Sequence, residues 1–128
     1  IYKKGGGKMK VSDYHKQGYN CAEAMIRTYN EEHGTDIPIS LGSGMGSGFA
    51  SGSLCGAISA ATIIIGYLTG RKESTESNMA RVYTKEMMDA IREKYNTHLC
   101  KDFKANKITC AEIENYTYDV LVDILKSV

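Results

Sequence analysis

Most of the features that announce a function are missing from this chain. It has a single proline, Pro38, and its β-branched residues do not alternate with polar ones over useful lengths, which leaves little material for a sheet. An excess of one charge is missing too. The 16 basic and 15 acidic side chains give a formal net charge of +1, and no basic stretch is interleaved with aromatics. Nucleic acid and an anionic membrane surface therefore find no electrostatic handle. The longest apolar run, Ala57 to Leu68, is interrupted by Ser59, Thr62 and Gly66 and is too short to span a bilayer, so it reads as a buried helix. No Ser-His-Asp grouping or H-E-x-x-H motif supports a hydrolase. No Cys-x-x-Cys pair occurs, which excludes the thioredoxin motif, the zinc-finger and zinc-ribbon signatures and the usual ferredoxin run.

The glycine-rich stretch, with Gly42, Gly44, Gly46, Gly48 and Gly52 spaced through serines, also fails the familiar tests. Ser47, Phe49 and Ser51 stand where a dinucleotide fingerprint would need its third glycine, and no strand precedes it. No Gly-Lys-Ser or Gly-Lys-Thr follows to make a phosphate-binding loop. Glycines in such a run allow close backbone approach, here just before Cys55.

What is present is helical patterning. A length of 128 residues is one domain's worth of chain, and 42% hydrophobic with 24% charged residues is ordinary for a globular protein. Residues 1–11, with Gly5-Gly6-Gly7 and no initiator Met or signal-peptide core, are expected to be a flexible leader, a trimmed end or part of a longer chain. Residues 12–128 are expected to form the domain. Helices are expected over Ser12–Gly18, Cys21 to about Glu32, Leu54–Leu68, Thr75–His98 and Cys110–Lys126. In the fourth, Met79, Val82, Tyr83, Met87, Ile91 and Tyr95 form the apolar stripe. The fold class is all-α: a single-domain bundle of four to five helices around the central apolar helix.

The informative residues are the four cysteines. Asn20-Cys21-Ala22-Glu23 and Thr109-Cys110-Ala111-Glu112 both have the capping-box form, with a cysteine as the first helical residue. Ser53-Leu54-Cys55-Gly56 is similar, with Ser53 as the expected cap. Free N–H groups and the helix dipole at such positions favour a thiolate, the form that attacks disulfides and binds metals. Cys100 is placed in a loop past a helix C-terminus, where the dipole opposes negative charge. The cysteines are separated by 33, 44 and 9 residues, so only helices returning to one end of the bundle could gather them. Gathered there, Cys21, Cys55, Cys100 and Cys110 could hold zinc or an iron–sulfur cluster, or could pair as disulfides. Packing as small hydrophobes is the competing explanation. Tyr19 is expected at the rim of such a centre. His98 suits a helix C-terminus, and His15 and His33 read as surface positions.

These residues resemble a family described as redox-active proteins and named after its C…GCAxxG…C…C pattern. The matching segments are Gly18-Tyr19-Asn20-Cys21-Ala22, then Cys55-Gly56-Ala57-Ile58-Ser59-Ala60, then Cys100-Lys101-Asp102-Phe103, and Cys110. Ala60 stands where the pattern has glycine. A similar domain forms part of the split-Soret cytochromes, where the resemblance implies an iron–sulfur cluster, although no Cys-x-x-Cys-His haem site occurs in this chain.

The expected function is redox activity through the four cysteines. It would proceed by electron transfer at a cluster of the two-iron (2Fe-2S) type or by thiol–disulfide exchange. In the cluster case the backbone at Gly48, Gly52 and Gly56 would supply N–H donors to sulfur. A zinc- or disulfide-stabilised binding module is the alternative, and a helical module lined by the six methionines is a third reading. A redox partner protein is expected. Cysteine usage without an export signal suggests a cytoplasmic, reducing setting.

Overall fold

The computed structural model describes residues 9–128. It is all-α, and its described residues contain no strand beyond one isolated bridge between Leu54 and Leu99. Six α-helices follow one another in the described residues: α1 Val11–Lys16, α2 Cys21–His33, α3 Gly56–Thr69, α4 Met79–Tyr95, α5 Cys100–Ala105 and α6 Cys110–Leu125. One short helix more than expected, α5, makes the difference from a four- or five-helix bundle. The glycine-rich connection between α2 and α3 contains two single turns, Ile39–Gly42 and Gly48–Gly52. The leader over 1–8 lies outside the described residues. Val11, assigned to that leader from sequence, is buried as the first residue of α1.

The apolar helix α3 is central as expected, with α2, α4 and α6 packed around it. Ala57, Ala60 and Ala61 on α3 are fully buried and let α2 approach closely, while Ile58, Ile64 and Ile65 fill the space between neighbours. Ala60 takes the glycine position of the family pattern without leaving the core. Ser59 and Thr62 return their hydroxyls to carbonyls four residues back, Cys55 and Ile58, so their burial leaves no donor unpaired. Helix α1 rests on α2 and α6. Tyr14 and Tyr118 bury their rings and donate to Glu31 and Glu32 of α2, so each is a core residue with a polar tip.

Two expectations for α4 are corrected. It starts at Met79, because Asn78 caps it by accepting from the Arg81 N–H, and it stops at Tyr95, because Asn96 turns left-handed. Met79 and Val82 are exposed, and only Met87 and Ile91 of the stripe are fully buried. A helical period identifies which face is apolar; it does not say how far along the helix a neighbour covers it.

Candidate functional site

Each cysteine stands at a helix start, and local sequence explains two of these positions directly. Asn20 caps α2: its Oδ1 accepts from the Glu23 N–H at 2.8 Å, and Glu23 Oε1 accepts from the Asn20 N–H at 2.9 Å. This is the full capping box, and it makes Cys21 the first helical residue. Thr109 likewise accepts from the Glu112 N–H at 3.1 Å and sets Cys110 at the start of α6. There the box stays half-made, because the Glu112 carboxylate accepts from Tyr95 Oη instead.

The other two positions arise from a contact between distant segments. The Cys55 N–H donates to the His98 carbonyl at 3.1 Å, and the Cys100 N–H donates to the Ser53 carbonyl at 2.7 Å. These bonds flank the Leu54–Leu99 bridge. Side-chain alternation along such a pair puts Cys55 and Cys100 on one face as diagonal neighbours, with the two leucines on the other. Ser53 is therefore not the cap of α3; Cys55 holds that position itself. Cys100 is not a loop residue either. It opens α5, so the dipole argument that set it apart from the other three does not apply.

The four cysteines border a common space. Cys21, Cys55, Cys100 and Cys110 all line one cavity of about 150 Å³, together with Asn20, Gly46, Ser47, Gly48 and Gly56 of the glycine-rich approach. Phe103, Ile108 and Ile113 give it an apolar floor, and His15, Lys104 and Glu114 complete the wall. Cys21, Cys55 and Cys100 are buried, while Cys110 is exposed at the mouth; all four are free thiols.

The glycines are needed at two points. A Cβ on Gly56 would lie 2.5 Å from Cys21 Sγ and 2.7 Å from the Met45 carbonyl oxygen. One on Gly48 would lie 2.7 Å from Cys100 Cβ and from the Ser53 backbone. Gly48 belongs to four consecutive residues, Ser47 to Ala50, that all have φ between 54° and 62°. For L-residues such a left-handed turn costs about 1–2 kcal/mol each. It brings the Ser47 N–H to the Cys21 sulfur. Gly52 is outside the cavity wall; a Cβ there would meet Lys101 instead. Tyr19 is outside it too, its hydroxyl accepting from Arg27 at 2.6 Å.

Cys21, Cys55 and Cys110 are not the activated thiolates that their helix positions suggested. Burial pushes Cys21 up to about 12 and Cys55 up to about 11. The Ser47 N–H on Cys21, and the Ala57 and Ile58 N–H groups on Cys55, act in the opposite direction and lose. Cys110 is raised as well, by burial first and then by the charges of Glu114 and Cys100, with Lys104 opposing.

One part of the site is absent from the sequence reading. Glu114, only 1% exposed, is hydrogen-bonded through Oε2 to Nδ1 of His15. His15 is thus no free surface residue; its side chain is 38% exposed and closes one side of the cavity. Burial raises the Glu114 carboxyl, and the His15 contact lowers it. The available signal was spacing: Cys110, Glu114, Thr117 and Leu121 recur on one face of α6.

The geometry defines a cysteine-centred helical domain in which separate helix starts converge on one chamber. By its sequence the chain belongs to the C_GCAxxG_C_C family, whose model, described as "putative redox-active protein", matches residues 19–124. No match was found among curated proteins or among solved structures. No helix of the described residues is long and apolar enough to cross a membrane.

Proposed function

We propose that the four-cysteine cavity holds an iron–sulfur cluster of the two-iron type and that the protein transfers single electrons to and from a partner protein. The observation that carries this reading is the cavity itself: four cysteines from four helix starts all line it. A volume of about 150 Å³ has room for a group of several heavy atoms, since a water's share of liquid is about 30 Å³. A single zinc needs sulfurs about 2.3 Å from one centre, and no three of the described His, Cys, Asp and Glu side chains are gathered to grip one ion. The donor set suits a cluster, whose irons are held by four cysteine thiolates.

Thiol acidity favours the same reading. Free thiols raised to about 12 and about 11 are poor nucleophiles at neutral pH. Metal coordination deprotonates a thiol outright, so the same burial is no obstacle to ligation. The chain's own contribution is to position four donors, exclude water with Phe103, Ile108 and Ile113, and supply N–H groups near sulfur from Ser47, Ala57 and Ile58. A bound two-iron cluster would supply one-electron chemistry. The partner would approach at Cys110, where the wall is least covered, in a reducing, cytoplasmic setting that keeps the thiols free.

Anaerobic isolation followed by iron and acid-labile sulfide analysis and visible absorption tests the proposal. Two irons and two sulfides per chain are expected; a colourless, iron-free protein after anaerobic reconstitution refutes it. The exposure of Cys110 favours thiol–disulfide exchange as the second reading. In that case the iron-free protein would reduce a partner disulfide, with Cys110 attacking and a buried cysteine resolving the mixed disulfide.

A further inference from the structure

Four thiols would satisfy a two-iron cluster, yet the cavity wall contains one donor more. Glu114 is almost wholly buried, and a carboxylate is seldom kept in such a place without full pairing. Oε2 is taken by His15, but Oε1 is buried with no partner. A purely structural role, tying α6 to α1, uses the His15 contact and leaves that second oxygen unexplained.

The position of Glu114 is specific. It stands four residues after Cys110 on α6, so both side chains leave the same face of the helix about one turn apart. Its charge reaches Cys21 and Cys110 across the cavity and contributes to raising both thiols. Of the four cysteines, the one on its own helix is the exposed one.

We infer that Glu114 is a fifth donor of the cavity, an oxygen ligand able to take the position of Cys110 on the bound group, with His15 orienting the carboxylate. The inference rests on the cluster reading above. Iron accepts carboxylate oxygen as well as thiolate, and ligating carboxylates are commonly held by a further hydrogen bond, which His15 provides. The exchange replaces one iron–sulfur bond with one iron–oxygen bond. The departing Cys110 sulfur takes a proton from solvent, and no electron moves. Cys21, Cys55 and Cys100, all buried, remain the fixed ligands.

The test uses anaerobic reconstitution of the whole chain with ferrous iron and sulfide in four forms: wild type, Cys110→Ala, Glu114→Gln and the double variant. Iron and sulfide content, visible absorption and the electron paramagnetic resonance of the reduced state are read. Glu114→Gln is expected to keep the helix content of wild type by circular dichroism, which shows that the substitution is tolerated by the fold. Cys110→Ala is expected to keep its iron, with absorption moved to shorter wavelength because carboxylate gives electron density to iron less readily than thiolate. The double variant should retain at least about tenfold less, with helix content by circular dichroism unchanged. Equal loading of Cys110→Ala and the double variant overturns the inference, as does a Cys110→Ala protein that takes up no iron. Both results leave the cluster reading standing, whereas an unloaded wild type defeats the two together.

Discussion

Replacing Gly56 by alanine sets two effects of opposite sign against each other. As the first residue of α3, Gly56 gains from the change up to about 1 kcal/mol of helix propensity. The new Cβ, however, would stand 2.5 Å from Cys21 Sγ and 2.7 Å from the Met45 carbonyl oxygen. The sulfur can turn away by rotation about one bond. The carbonyl belongs to the backbone and can yield only if the glycine-rich segment shifts. A backbone carbonyl that cannot turn away puts the overpacking cost in the upper half of the usual range, about 2–3 kcal/mol, so the clash wins by about 1–2 kcal/mol. An unfolding entropy of about 2.1 cal/mol/K per residue over 128 residues makes each kcal/mol worth about 4 °C, and Tm should fall by about 4–8 °C. The internal control is Gly66→Ala on the same helix, where nothing lies within 4 Å of the added carbon. That change should raise Tm by about 2–4 °C. Differential scanning calorimetry of the iron-free proteins measures both. A Gly56→Ala protein as stable as wild type would show that Cys21 and the Met45 carbonyl are not held against Gly56, and the packing account of the site would fail. In a loading assay Gly56→Ala should also take up less iron, because the Cys21 sulfur is displaced, while Gly66→Ala should load normally.

Two further outcomes follow from the same geometry. The iron-free protein should lose stability as pH rises from the ordinary thiol value of 9.0 toward 11, since Cys21 and Cys55 keep their protons in the fold after the unfolded chain has lost them; urea midpoints that stay flat over that interval would contradict the raised values. Asn20→Ala removes the cap on the Glu23 N–H and the amide's donations to the Gly42 and Ser43 carbonyls at 3.2 and 3.1 Å, which together should cost about 2 kcal/mol in urea unfolding; a change below about 0.5 kcal/mol would mean that this junction does not hold the glycine-rich segment on α2.

The parts of the site legible in the sequence are those set by neighbours in the chain. Asn20 and Thr109 announce where α2 and α6 begin because a cap and the amide it accepts from are three residues apart. Cys55 and Cys100 owe their positions to a bridge between segments more than forty residues apart, and no local pattern encodes such a pairing. The same bridge uses the Ser53 carbonyl for Cys100, and the residue that looked like a cap serves a different neighbour. The thiol acidities are not legible in the sequence for a related reason. The dipole of a helix start can be read from sequence, but the desolvation that outweighs it depends on what packs over the sulfur. Glu114 is hard to read from sequence because a charged residue beside Ile113 suggests a solvent-facing position, although its spacing from Cys110 and Leu121 places it on the inward face.

The length of α3 has a practical side. Its first residue, Gly56, is in the cavity wall, and 14 helical residues carry the chain about 20 Å before Gly70 ends the helix. The exposed stretch 71–78 that follows is where a surface tether can be attached. A lysine-free, thiol-free linkage at Ser74 or Ser77 would anchor the molecule to an electrode by the opposite end of its central helix. The mouth at Cys110 would stay open to a soluble reactant, and the current through a single fixed orientation could be followed.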